Sequence, residues 1–167
     1  MCSLEIGYGR EVTQETDGHL DAIFDAVTAA SRVLVGIAAR SLDRSGADVT
    51  LSQCRLLVTL AQRGPMNLVG LAEVLQVNPS TATRMCDRLV AKGLIVRDRV
   101  EGGVSLRPST AGLEVVEAVT RERRAQLQSV VSRLDASQHD ELLRCMDAFR
   151  QAAGELAEGE WALGWWE

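Results

Sequence analysis

Residues 67–95 read NLVGLAEVLQVNPSTATRMCDRLVAKGLI, two short helical patterns joined by a tight polar turn. In the first pattern Leu68, Leu71, Ala72 and Leu75 recur at helical spacing. The second opens at Asn78-Pro79-Ser80. Asn78 is a good helix cap, and Pro79 at the first helical position forfeits no hydrogen bond. Ala82, Met85, Cys86 and Leu89 then make one inward stripe, and the opposite face carries Ser80, Thr81, Thr83, Arg84 and Arg88. Hydroxyls and backbone N–H groups at a helix start can meet phosphates, and a guanidinium fork can meet guanine in a major groove. This is the layout of a helix-turn-helix with its recognition helix second. Any solvated amphipathic helix also has a polar face, so the flanking sequence decides between the two readings.

Lys92-Gly93 closes the second helix with a cation in its last turn and a glycine at its end. Leu94-Ile95-Val96 and Arg97-Asp98-Arg99-Val100 follow, then the turn Glu101-Gly102-Gly103, then Val104-Ser105-Leu106-Arg107. Strand, glycine turn and strand predict a β-hairpin, which after a recognition helix is a wing. Arg97, Arg99 and Arg107 are then placed to reach phosphates or a minor groove. Upstream, Thr50 with Gln53 forms a capping box that opens a helix with Leu56, Leu57 and Leu60 inward, ended by Arg63-Gly64-Pro65.

Long helical patterns flank this lobe. One spans residues 15–45, with Leu20, Ile23, Phe24, Val27, Ser31, Leu34, Ala38 and Leu42 along one stripe. Ser109 caps a second, with Leu113, Val116, Leu127, Val130, Val131 and Leu134 as its apolar positions. Asp135 with Gln138 starts a third, with Leu142, Met146, Phe149, Ala153 and Leu156 expected inward. Pairing with a second copy buries such stripes economically, and a two-fold protein suits a two-fold operator. A monomeric bundle is the competing arrangement.

The sequence resembles the MarR family of bacterial transcription regulators over roughly residues 15–157. The matching pieces are TLSQCRLLVTLAQRG, LVGLAEVLQVNPSTATRMCDRLVAKGLI and the PSTAG that opens the next helix. The expected fold is mainly α, a winged helix-turn-helix with long N- and C-terminal dimerisation helices. Its parts are a flexible N-terminus at 1–14, a dimerisation helix at 15–49, the winged-helix domain at 50–108, dimerisation helices at 109–157 and a tail at 158–167. The resemblance implies a homodimer on double-stranded DNA at a palindromic operator, commonly released by a small-molecule effector or by cysteine oxidation. It also implies an effector site between the arms and the lobe, near Ile37, Leu42, Cys54 and Leu57, with Arg40, Arg44 or Arg55 as its polar anchor. Segments 46–49 and 108–109 would let the lobe tilt. The family's Asp-Arg-Arg wing tip is replaced here by Glu101-Gly102-Gly103, and the acidic support, Asp87, has either Arg97 or Arg99 as its partner.

The net charge of −5 is unevenly spread. Residues 53–107 hold eight basic and four acidic side chains, +4, and the remainder comes to −9. A basic middle on an acidic body fits a protein that turns one face to DNA. No apolar run is expected to span a membrane, and the first residues resemble neither a signal nor a transit peptide, so the cytoplasm is the default location. Cys2, Cys54, Cys86 and Cys145 have no paired spacing and are expected as free thiols. A redox switch at Cys2 or Cys54 is a second functional reading, although Tyr8 is the only tyrosine near the N-terminus. A winged helix that binds protein is a third, disfavoured by Arg84 and Arg88. His19 and His139 lie in no metal-binding pattern, so no metal is expected. No phosphate loop, nucleophile elbow or catalytic triad is present, which predicts neither enzyme nor cofactor. Trp161, Trp165 and Trp166 cluster in the tail as either a cover for an interface or a loose end.

Overall fold

The computed structural model describes residues 8–101 and 103–157, with side chains from residue 18 onward. Cys2, the Tyr8 side chain, Gly102 of the hairpin turn and the three tryptophans lie outside the described residues. The order is α1 (Tyr8–Ser45), α2 (Leu51–Arg63), α3 (Leu68–Leu75), α4 (Pro79–Ala91), β1 (Ile95–Val100), β2 (Gly103–Pro108), α5 (Thr110–Val131) and α6 (Ala136–Ala152). The chain is mainly helical, with one β-hairpin, and contacts divide it into residues 1–38 and residues 39–167.

Each helix of the second unit starts where a side chain accepts an otherwise unpaired N–H. Thr50 and Asp135 form complete capping boxes, and Asn67, Asn78 and Ser109 each accept from the N–H three residues on. The ends are equally specific. Gly93 has φ of 69° after α4, and Leu94 N–H returns to Leu89 O while Gly93 N–H returns to Val90 O, a Schellman closure. Gln76 closes α3 in the same way at φ 55°, which is costlier for a side chain than for glycine.

α2 is the centre of the core. Cys54, Leu56, Leu57, Leu60 and Ala61 are fully buried, and around them gather Leu71 and Leu75 from α3, Cys86 and Leu89 from α4, and Val116 and Val119 from α5. The hairpin completes the lobe through Ile95 and Leu106. β1 and β2 pair antiparallel with Arg97 opposite Leu106 and Arg99 opposite Val104. Met66 adds a bridge to Leu106, N–H to O in both directions, at 3.0 and 2.7 Å.

Two expectations need correction. α6 buries none of its residues; Met146 and Phe149 are exposed in the single chain rather than inward, since no described residue of their own unit covers them. The 28 residues Gly18–Ser45 of α1 are also long and apolar enough to cross a membrane by length and composition, with a mean hydropathy of 1.6 over their most apolar window. Between residues 22 and 39 only Asp25 and Arg32 are charged, and the alanines and valines among them raise the average. Leu20, Ile23, Phe24, Val27 and Leu34 of the sequence stripe are all exposed.

Candidate nucleic-acid interface

α4 is amphipathic in the way its sequence predicts. Ala82, Cys86 and Leu89 are fully buried, while Ser80, Arg84 and Arg88 are exposed on the far side. The start of the helix is knitted together by Asn78, whose Oδ1 accepts from Thr81 N–H and from the Ser80 hydroxyl, both at 2.8 Å. Thr83 donates back to Pro79 O at 2.8 Å. Two of the three hydroxyls therefore spend their protons within the helix. Thr81 instead accepts from Arg84 Nη2 at 3.3 Å, which keeps its own proton for a phosphate or base and steadies the guanidinium.

The hairpin stands beside this face. Strand alternation puts Arg97 and Arg99 on one side of β1 and Asp98 on the other. Asp87 on α4 pairs with Arg97 at 2.5 Å, which resolves the choice between Arg97 and Arg99 and ties the wing to the recognition helix. Arg107 pairs across the hairpin with Asp98 at 2.5 Å. Arg99 has no ion pair among the described residues. These exposed pairs are weak enough, about 0–1 kcal/mol, for a phosphate to compete for Arg97 and Arg107.

The connections at both ends of the lobe meet at the end of α4. Lys92 Nζ reaches Asp48, both its backbone oxygen and its carboxylate, in the loop after α1. Ser109 donates its hydroxyl to Gly93 O at 2.6 Å and its N–H to Leu94 O at 3.0 Å. Gly112 then packs so closely that a Cβ there would strike the Leu94 carbonyl. Sequence reasoning missed this junction, although the glycine in PSTAG, one turn inside a helix, is a signal of close packing.

The sequence profile of the MarR family matches residues 49–102, the lobe just described. RV1404 from Mycobacterium tuberculosis has a similar structure, with a TM-score of 0.77 and 37% identity over 83% of this chain and 97% of that one. The chain belongs to the MarR family. Sco5413, a MarR family transcriptional regulator from Streptomyces coelicolor, is 29% identical over 82% of this chain and 96% of its own, with a TM-score of 0.60. A MarR family protein from Bacillus stearothermophilus shares the fold, with a TM-score of 0.73 at 22% identity over 85% and 98% of the two chains. No curated protein sequence matches. As a MarR family member the chain is a DNA-binding transcriptional regulator, not an enzyme, and it works inside the cell.

Two of the three arginines that the MarR resemblance suggested as an effector's polar anchor have partners among the described residues. Arg40 Nε donates to Gln126 Oε1 at 3.0 Å, and Arg44 pairs with Glu122 at 3.3 Å. Arg55 is exposed on α2. Cys54 lies in the core, where burial pushes its thiol pKa up and the charge of Arg123 pulls it back in part. Cys86 is likewise buried and raised by desolvation. Neither is placed as an accessible thiolate, the form a redox sensor reacts through. His139 bonds Val131 O at 2.9 Å, His19 is exposed, and among the described residues no group of three His, Cys, Asp or Glu side chains is placed to hold a metal ion.

Proposed function

We propose that this regulator is a cytoplasmic homodimer that binds a palindromic operator as a repressor and is released by a small-molecule effector. The observation that carries the DNA-reading half is the outer face of α4, where Arg84 and Arg88 stand exposed beside an arginine-bearing wing fixed to it through Asp87. In this reading Ser80, Thr81 and Thr83 approach phosphates, Arg84 and Arg88 approach base edges, and Arg97, Arg99 and Arg107 hold the backbone or the minor groove. The dimer is supported by the apolar stripe left open on α1 and by Leu143, Met146 and Phe149 on α6. A second copy buries both stripes without inserting Asp25 and Arg32 into lipid.

Selection from random duplexes with the purified protein tests the first half. The expected product is an inverted repeat whose half-sites lie about one helical turn, ~34–36 Å, apart. Enrichment of single half-sites, or of no sequence, overturns it. Sedimentation at micromolar concentration tests the second half, and a monomer there overturns the dimer.

A further inference from the structure

The end of α6 turns the chain off the helix axis. Gly154 has a left-handed φ of 68°, its N–H returns to Gln151 O, and Glu155 N–H returns to Arg150 O, a Schellman closure. Arg150 clips the turn from the side of the helix. Its Nη1 donates to Glu155 O at 2.8 Å, and its Nε pairs with Asp147 at 3.5 Å. Helical side chains lean toward the N-terminus, so this clip holds the departing chain alongside α6 rather than beyond its end. Leu156 and Ala157 are half-buried there, although residues 151–155 are exposed.

The face beside that turn is apolar and open. Leu143, Met146 and Phe149 are exposed along it. At its far end Val131, His139, Leu142, Leu143 and Met146 line a cavity of about 360 Å³. His139 Nε2 lies 2.9 Å from Val131 O. In the neutral ring a donating Nε2–H leaves Nδ1 as an acceptor, so the apolar cavity carries one acceptor of its own. Residues 158–167, EGEWALGWWE, follow the turn and hold all three tryptophans of the sequence. In an extended chain Trp161, Leu163 and Trp165 share one side. At about 1.5 Å per residue, Met146 lies roughly 12 Å and His139 roughly 22 Å back along α6 from Gly154. At about 3.3 Å per residue, Trp161 and Trp165 come roughly 13 and 26 Å after Ala157.

We propose that residues 158–167 dock along α6 of their own chain, Trp161 over Met146 and Phe149, and Trp165 in the cavity beside His139. The two spacings match, and the chemistry matches with them. A thioether beside an indole makes a favourable contact. A buried indole needs an apolar wall for its body and an acceptor for its N–H, and the cavity offers both. The proposal goes beyond the regulator reading and does not depend on it. In a dimer the tail and the second copy share the face of α6.

Tryptophan emission of the full-length protein tests the docking, because every tryptophan of the sequence lies in the tail. Native emission should lie to the blue of emission in denaturant, and acrylamide should quench it less. Phe149→Ser and Leu143→Ser should each shift the native emission toward red and raise the quenching. Trp165→Phe should abolish the response to Leu143→Ser and keep the response to Phe149→Ser. Phe24→Ser is the control on α1, where Phe24 is 61% exposed against 57% for Phe149, and it should leave the emission unmoved. Native emission and quenching equal to those of the denatured protein overturn the proposal, and that comparison needs no variant to fold. Indifference to both α6 substitutions overturns it as well. So does a response to Leu143→Ser that survives Trp165→Phe, or a response to Phe24→Ser as large as that to Phe149→Ser, which would seat the tail on α1. Sedimentation and duplex selection are read separately, and a monomer or a failed selection leaves the docked tail standing.

Discussion

Arg84 and Arg99 are both exposed arginines, and their surroundings assign them different work. Arg84 stands on the outer face of α4, held by Thr81, and a bidentate contact from such a helix to a base edge is worth about 1–3 kcal/mol of discrimination. Arg84→Ala should therefore relax base preference at one position of each half-site. Arg99 sits on the wing with no ion pair among the described residues, so Arg99→Ala should weaken binding to every duplex alike and reduce the salt slope by about one. Gel-shift titrations on matched and mismatched duplexes at several salt concentrations separate the two, and identical behaviour of both variants to wild type refutes the docking. The cysteines give a second residue-level test. Cys54 and Cys86, buried and with raised pKa, should resist iodoacetamide in the folded protein and react once denaturant is added. Rapid modification of Cys54 in native protein, read by peptide mass, would revive the redox reading.

At the scale of elements, the caps were the most legible part of the sequence. Thr50, Asn67, Asn78, Ser109 and Asp135 each need only local spacing to be recognised, and each starts its helix as expected. Long-range pairing was less legible. Strand alternation placed Arg97 and Arg99 on one face, but only the register of the hairpin against α4 selects Arg97 for Asp87. The run Arg121-Glu122-Arg123-Arg124 reads as a solvated helix face, and nothing local says that one of its guanidinium groups turns inward against α2. The stripe read as inward on α6 lies exposed in the single chain for a related reason, since helical spacing reports that a face is apolar and not what covers it. Asp135 offers a test of one element by itself. The backbone N–H of Gln138, helped by the Ser137 hydroxyl, holds its carboxyl below the ordinary value of 3.8. A carboxylate depressed in the folded state stabilises above its unfolded pKa, and that contribution is lost as pH falls through the folded value. Asp135→Asn caps without titrating, so between about pH 6 and pH 2.5 it should lose less stability than wild type. Denaturant melts at the two pH values check this, and equal losses would mean the cap is not what acid disturbs.

For the whole molecule, the junction at the end of α4 is where the connections at both ends of the lobe are tied together. Segments 46–49 and 108–109 looked free to bend in the sequence, yet Lys92 holds Asp48, and Ser109 and Gly112 lock onto Gly93 and Leu94. Gly112→Ala puts a methyl group against the Leu94 backbone and 3.3 Å from Leu57 Cδ2, so it should destabilise the fold by about 1–3 kcal/mol. Equilibrium denaturation measures that loss, and an unchanged midpoint would show that the junction yields easily. Because the joint is tight, the function proposed above would have α5 act on the recognition helix as a lever rather than through a loose tether. At about 1.5 Å per residue, Thr110 lies roughly 20 Å along the axis from Arg123. A rotation of only about 5° around a fulcrum at Arg123 moves that end by close to 2 Å, while base contacts hold only over donor–acceptor distances of about 2.7–3.2 Å. Under the function proposed above, a small swing of two rigid arms is then enough to release the operator, with no helix needing to melt.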